Sequence, residues 1–528
     1  MTNPLSLEPV RTAAAEAYKL AVPEIALVGV ACGLFVLAAV YPHRLASLLL
    51  SLAGIALAAV LALGVGNDSA FAGLSPARLY YSPFDPTGPA AVVRWIALAG
   101  AVIFCLLSYH ETVRETAGEY YGCLLILAAG VSLVGRADDL VTLYLALEMV
   151  SIPTYVLLYL PVKTRAGQEA AMKYFLLSVL SSAVLLFGFS YLYGLAGTTN
   201  LRGVADVLTA AHSSGGAVSP LALVAAVCVV AGVGFRVTAF PFHFYAPDVY
   251  QAGPTGVVAV LATVPKVAGF VALARVLGLL TPGGTAAQPF DAVHTTIPLM
   301  LWLVSAASMT FGNVLALLQN NLRRMLAYSG VAHAGYMLMA IAAAGAIPGV
   351  VPGETVTSTG MDAVLFYLVA YGLMTAGAFA VLAAVGTDAR PVETIDDLAG
   401  LGQDRPWAAA LLAVALVSLI GLPLTAGFTG KFQLFLATWD APVHTPMGHL
   451  FQTLAVIAAV NAAVGAVYYL RVAGAMYLRG ALTPFAGPRC SLALAAAGLC
   501  ATGTIALGVY PKPLAEAVRA AVPPAVAK

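Results

Sequence analysis

The chain has 528 residues, 61% of them hydrophobic and 9% charged, and its 25 Lys and Arg against 24 Asp and Glu leave a formal net charge of +1. Soluble domains carry about 25% charged residues, and a nucleic-acid binder needs a basic excess. This composition therefore excludes both, along with a disordered chain. A bilayer-crossing helix takes about 20 apolar residues, so the chain reads as an all-α polytopic membrane protein embedded in the lipid bilayer.

Residues 1–22 contain Glu8, Arg11, Glu16 and Lys19 and lack the short apolar core and small-residue cleavage site of a signal peptide. Apolar runs then predict spans over 23–41, 44–66, 91–109, 120–136, 139–160, 170–193, 218–249, 254–280, 296–318, 323–346, 362–386, 407–438, 449–472 and 490–510. These are fourteen spans, an even number, so both termini are expected on the same side. One set of loops holds Arg44, Arg114, Lys163, Arg165, Arg323, Arg324, Arg390, Arg405, Arg471, Arg479 and Arg489; the other holds Arg78, Arg94, Arg136, Arg202 and Arg275. The richer side is expected in the cytoplasm and both termini outside, although the five basic residues of the termini pull weakly the other way.

Two spans are expected to be interrupted. The first is GFRVTAFPFHFYAPDVYQAGPTG, Gly234 to Gly256, with Pro241, Pro247 and Pro254; the second is SLIGLPLTAGFTGKFQLF, Ser418 to Phe435, with Gly421, Pro423, Gly427 and Gly430. Proline removes a backbone donor and clashes with the preceding turn, and lipid cannot satisfy the freed carbonyl. Broken helices persist at membrane depth only where protein or water covers them. A pair of them, five spans apart, points to an internal repeat with an ion path between its halves.

Charges inside spans cost about 2.5–3.5 kcal/mol each and tend to line polar paths. In chain order they are Glu148, in LVTLYLALEMVSIPTYVLLYL; Arg236, at the end of the first half of the first broken span; Lys266, directly after Pro265; and Lys431, just past the second break. A buried lysine brought near neutrality can load and release a proton, and a neighbouring carboxylate that moves away lets the proton go. Arginine stays protonated, so Arg236 is read as a fixed partner of Glu148 or a charge that sets the field. The alternative for each is a static interhelical pair. Lys173 follows Glu169 at the spacing of a surface i,i+4 pair. His243, in the first break, and His333, in AYSGVAHAGYMLMA, can relay protons or sit neutral in polar pockets. Asp248 is expected to end or cap the half-helix, with a functional role as the alternative, and Ser178, Ser181 and Ser182 make a polar face suited to helix packing.

The six cysteines, Cys32, Cys105, Cys123, Cys228, Cys490 and Cys500, are scattered through apolar stretches without a CxxC pair. Iron–sulfur and zinc sites need clustered thiolates, haem needs facing axial ligands, and no GxGxxG opens a helix after a strand. No cofactor or metal is expected on this chain.

These motifs carry a resemblance. LYLALEMVSIPTYVL, EAAMKYFLLSVLSSAVLLFGFSYLYGLAGTTNL, PFHFYAPDVYQAGPTGVVAVLATVPK, NLRRMLAYSGVAHAGYML and GLPLTAGFTGKF resemble, in order and over about 120–475, the N-type membrane subunits of the proton-pumping NADH–quinone oxidoreductase, respiratory complex I. The resemblance implies an antiporter-like fold with two inverted five-helix repeats: residues 1–119 as three N-terminal helices, 120–280 and 296–475 as the repeats, and 490–528 as the last helix and a short tail. It implies Glu148 as the carboxylate of the fifth span, Lys266 as the central lysine of the eighth, Lys431 as the terminal group of the twelfth and Lys173 as the lysine opening the sixth. Arg236 departs from the pattern, since many members carry lysine there. The resemblance further implies a bacterial plasma-membrane complex carrying FMN and iron–sulfur clusters elsewhere, using NADH and a quinone, with L- and M-type antiporter-like and small K-, J- and A-type subunits as partners. Rival expectations are a subunit of a multi-subunit Na⁺/H⁺ antiporter or membrane-bound hydrogenase, a stand-alone secondary transporter and a static scaffold.

Overall fold

The computed structural model describes residues 18–65, 83–85, 90–160, 164–213, 219–280, 292–345, 360–386, 392–440, 448–481, 485 and 491–521. Arg78, Lys163, Arg390, Arg489 and Cys490 lie outside them. Eighteen principal helices follow in order: α1 (Val22–Val40), α2 (Arg44–Val65), α3 (Ala90–Leu107), α4 (Ala117–Arg136), α5 (Leu140–Tyr159), α6 (Arg165–Ala196), α7 (Leu201–Ser213), α8 (Pro220–Val237), α9 (Ala246–Ala252), α10 (Thr255–Leu280), α11 (Ala292–Leu317), α12 (Leu322–Gly345), α13 (Met361–Val385), α14 (Pro406–Ile420), α15 (Ala426–Trp439), α16 (Gly448–Leu478), α17 (Ser491–Val509) and α18 (Lys512–Ala521). Among the described residues, thirteen are long and apolar enough to cross a membrane. The remaining expected span, 407–438, is divided between α14 and α15.

Helices start where the local chemistry favours it. Asp139 caps α5 by accepting the Val141 and Thr142 N–H groups, and Thr164 caps α6 through Gly167. Four helices, α4, α10, α12 and α13, are buried over most of their length and form the interior. Helix α10 packs against α13, α8 and α5, and α12 against α11 and α15. Helices α1, α2, α6, α11, α16 and α17 surround this interior and keep apolar faces outward, as lipid permits.

Two features lie beyond the sequence reading. The tail forms the amphipathic α18, with Arg519 3.7 Å from Asp362 at the start of α13. Arg94, counted above as a loop charge, is buried: it donates to both carboxylate oxygens of Glu24, at 2.8 and 3.0 Å, and to the Leu20 carbonyl, while Ser132 also bonds Glu24. A carboxylate one helix away makes burial of the guanidinium tolerable. Glu24 sits in the first turn of α1, where a lone acid reads as a favourable helix-terminus charge, and nothing in the sequence signals its partner.

At the same end of the bundle, Arg202 binds Asp138 and Asp85, each at 2.9 Å, and Arg275 donates to the carbonyls of Ala137 and Gly135. Burial pushes the Asp138 carboxyl up to about 6, against the pull of Arg202. A raised folded-state value means that this group's contribution to stability is present at low pH and lost as pH rises through about 6. Asp138→Asn, which cannot ionise, is therefore expected to flatten the change in thermal stability of the solubilised protein between pH 5 and 7. An unaltered pH slope in the variant contradicts this assignment.

Candidate functional site

Helix α8 ends at Val237, and the chain reaches α9 through residues 238–245, with Pro241 inside the break and Pro247 in the first turn of α9. Helix α14 ends on Gly421 and α15 begins after Thr425, with Pro423 between. Each break contains a non-glycine residue in the left-handed region, Thr238 (φ 58°) and Leu424 (φ 69°), an uncommon conformation held in place by its surroundings. Both interruptions therefore lie where the proline and glycine content placed them.

The first break carries Arg236 on the last turn of α8. Its guanidinium donates to the Glu148 carboxylate at 2.8 Å, to Ser182 Oγ at 2.9 Å, to the Leu147 carbonyl at 3.0 Å and to Ser151 Oγ. Ser182 donates to the same carboxylate at 2.5 Å. Arg236 is 4% exposed and Glu148 22%. The pair anticipated from the sequence is thus a charge-assisted node that joins α5, α6 and α8, and Ser182 belongs to it.

Lys266 lies midway along α10 and is 0% exposed. Its Nζ donates to the Gly330 carbonyl of α12 at 2.7 Å and to Tyr371 Oη of α13 at 3.1 Å, and it sits 4.8 Å from the Tyr371 ring centroid. Among the described residues no carboxylate pairs with it. Burying a lone ammonium costs free energy that neutral acceptors recover only in part.

His333 occupies the next position. Its Nδ1 is 2.6 Å from Tyr367 Oη and its Nε2 3.1 Å from Tyr469 Oη, and its ring lies 5.2 Å from that of Tyr371 and 5.8 Å from that of Tyr336. The Tyr336 ring in turn lies 5.3 Å from Lys431 Nζ. Lys431 donates to the carbonyls of Leu419 and Ile420, at 2.8 and 2.9 Å, so it neutralises the negative end of α14. Side chains therefore pack in a row Lys266, Tyr371, His333, Tyr336, Lys431, hydrogen-bonded at the first step and joined by ring contacts at the others, with Tyr367 and Tyr469 hydrogen-bonded to His333 beside the row. The four tyrosines were not singled out from the sequence, because an aromatic inside a span reads as core. Only AYSGVAHAGYM placed one, Tyr336, near His333.

The break geometry depends on close backbone approach. A Cβ on Gly427 would lie 1.9 Å from the Ser418 carbonyl oxygen, and Ser418 Oγ accepts the Gly427 N–H at 3.0 Å. Gly427→Ala is expected to force α14 and α15 apart and lower the yield of folded protein severalfold, measured by size-exclusion recovery from membranes. Normal recovery would contradict it.

The other candidates fall outside this line. Lys173 is 44% exposed and pairs with Glu169 at 2.7 Å and with Asp248 at 3.3 Å; Asp248 also binds Arg324 at 2.7 Å. These groups form a surface network beside α9. His243 stacks on Phe240 in the first break, with Nδ1 buried and unpartnered among the described residues. Ser181 donates to the Gly232 carbonyl and holds α6 to α8. Five cysteines are free thiols, and among the described residues no three His, Cys, Asp or Glu side chains converge as they would around a metal ion.

Residues 137–458 match the family described as NADH:quinone oxidoreductase/Mrp antiporter, transmembrane. A relative from Herpetosiphon aurantiacus, NADH-quinone oxidoreductase subunit N 1, is 36% identical over 444 residues, 83% of this chain and 84% of its own. A chain of respiratory complex I from Thermus thermophilus with bound aureothin superposes with a TM-score of 0.74 at 33% identity, covering 94% of this chain and 99% of that one. A chain of the Mrp complex from Dietzia sp. DQ12-45-1b shares the fold, with a TM-score of 0.76 at 20% identity over 95% of this chain and 96% of that one. The two broken helices, the Glu148–Arg236 node and the buried lysines thus occur in a chain that, over most of its length, belongs to the family of NADH-quinone oxidoreductase subunit N, the antiporter-like membrane subunits of complex I.

Proposed function

We propose that this chain is a proton-translocating membrane subunit of an NADH–quinone oxidoreductase, with Lys266 as proton carrier, His333 and its tyrosines as relay and Lys431 as terminal acceptor. The observation that carries this reading is the packed row of titratable and aromatic side chains from Lys266 through His333 to Lys431. Glu148 and Arg236 act one step upstream. Arg236 cannot release its proton, so it is a fixed cation, and the node changes charge only through Glu148. A shift of the Glu148 charge alters the field at Lys266 and with it the balance between ammonium and amine. Residues 120–280 and 296–475 are read as the two inverted repeats. Their breaks support this, since each has a cation at it: Arg236 on the last turn of α8, and Lys431 on α15 with its Nζ on the carbonyls that end α14.

The chain itself carries no redox centre in this reading. FMN, iron–sulfur clusters, NADH and quinone belong to other subunits, and the L-, M-, K-, J- and A-type membrane subunits are its partners. The loops holding Arg114, Arg323, Arg324, Arg405 and Arg471 face the cytoplasm of a bacterial cell, and both termini face outward. Burial of Arg94 and Arg136 supports this orientation by removing two charges from the outer loops. The test is affinity purification through a tag on this chain, followed by reconstitution into vesicles. NADH oxidation with quinone and NADH-driven acidification are expected to co-purify; cation antiport without NADH oxidation would replace this reading with that of an antiporter subunit.

A further inference from the structure

The loop between α3 and α4, residues 108–116, turns Glu111 toward the first turn of α10. Its Oε2 accepts the Gly256 N–H at 2.6 Å. Arg323, at the start of α12, brackets the same turn by donating to the Gly253 carbonyl at 3.0 Å and to Thr255 Oγ1 at 2.7 Å. A carboxylate at a helix N-terminus is favourable in itself, and capping accounts for that much. It does not account for the hydroxyls beside it. Ser108 and Tyr120 are 0% and 1% exposed, and apart from each other neither hydroxyl has a hydrogen-bond partner among the described residues. The Tyr120 hydroxyl nevertheless faces both Ser108 and Glu111.

The Ser108 and Glu111 oxygens converge closely on the backbone of Gly256. A Cβ there would lie 2.7 Å from Ser108 Oγ and 3.0 Å from Glu111 Oε2. Buried hydroxyls with no partner but each other, beside a carboxylate, suit bound water. Burial also holds the Glu111 carboxyl above its ordinary range, against the pull of the Gly256 N–H and the Arg323 charge. The groups facing it are Arg323 from α12, with Glu393 behind, Thr255 from α10, Ser108 at the end of α3 and Tyr120 from α4, with Tyr121 and Cys105 beyond.

The place of this cluster in the fold gives it a use. Lys266 follows Gly256 by ten residues on α10, a rise of about 15 Å at ~1.5 Å per residue. Gly330, whose carbonyl holds Lys266, follows Arg323 by seven residues on α12, about 10 Å at the same rise. Both helices that position the buried lysine therefore start at this cluster, on the side assigned above to the cytoplasm.

We propose that Glu111, Ser108 and Tyr120, around the Thr255–Gly256 turn, form a water-binding proton-uptake site that reloads Lys266. The inference deepens the role proposed for Lys266 and rests on it. The Glu111 carboxylate takes a proton from cytoplasmic water and becomes a carboxylic acid. It then yields that proton through water to the neutral Nζ amine, so that an O–H bond breaks, an N–H bond forms and no electrons move between donor and acceptor.

The test is NADH-driven proton pumping by the assembled complex in vesicles, normalised to complex content, in H₂O and D₂O. Glu111→Gln keeps an acceptor for the Gly256 N–H but cannot carry the proton, so pumping is expected to fall roughly tenfold or more. Ser108→Ala and Tyr120→Phe leave the cap in place and are expected to slow pumping severalfold with an enlarged solvent isotope effect. Lys266→Ala is measured in parallel. If it abolishes pumping while Glu111→Gln leaves rate and isotope effect unchanged, the uptake site is overturned and the role of Lys266 stands. If Lys266→Ala itself pumps normally, the underlying function fails. Should Glu111→Gln not assemble, unchanged pumping and isotope effect in both hydroxyl variants overturn the proposal.

Discussion

Lys266→Ala is expected to abolish NADH-driven proton pumping and to slow electron transfer with it, by a factor on the order of 10², the scale of a lost positioned proton-transfer group. The ammonium is wholly buried and held only by the Gly330 carbonyl and the Tyr371 hydroxyl. Alanine removes the one group in α10 that bridges to α12 and α13 through a titratable atom. Truncation removes two hydrogen bonds, a cation–π interaction and the packing of the buried stem, so the amount of assembled complex is measured alongside and pumping is normalised to it. The defect expected beyond any loss of assembly is in proton transfer. Pumping and electron transfer measured side by side in vesicles decide the matter. If both persist at parental rates, Lys266 is a packing residue and the static-scaffold reading takes over.

The second large effect belongs to Glu148. Glu148→Ala leaves the Arg236 guanidinium buried with only Ser151, Ser182 and the Leu147 carbonyl as partners. Breaking a buried pair by removing one member costs about 3–5 kcal/mol, because the other charge remains uncompensated. Low recovery of assembled complex is expected, together with loss of pumping. The double variant Glu148→Gln with Arg236→Met removes both charges at similar volume. It is expected to restore assembly, measured as complex recovered from membranes, and not to restore pumping. A double variant that assembles no better than Glu148→Ala would show that the uncompensated charge is not the cause. One that pumps normally would remove the node from the mechanism.

Much of this site was legible along the chain, for a simple reason. A charged or helix-breaking residue inside a 20-residue apolar run is costly in lipid, so Glu148, Arg236, Lys266 and Lys431 stand out against their neighbours without any knowledge of partners. The two breaks follow from the same argument, because proline and glycine inside a span leave backbone groups that lipid cannot satisfy. Lys173 shows the limit of this signal. Its family-implied role and its i,i+4 spacing to Glu169 gave different expectations, and the structure places it in an exposed network with Glu169 and Asp248.

The residues that complete the line were not legible. Tyr336, Tyr367, Tyr371 and Tyr469 each lie within an apolar stretch, where an aromatic is ordinary core. Tyr336 sits three positions after His333 on α12, but only the convergence of α12, α13 and α16 brings Tyr367, Tyr371 and Tyr469 to it. Glu24 and Arg94 lie 70 positions apart, and Glu111 and Gly256 lie 145 apart, with no periodicity connecting them. Amino-acid composition and hydrophobic patterning thus determined the membrane class, the span order, the breaks and the buried charges, since each is a transfer cost borne by a single residue or run. Which charge meets which partner, and whether a lysine faces a carboxylate or a tyrosine, was decided only by helix packing. Those energies belong to pairs of distant residues and exist only once the bundle has formed.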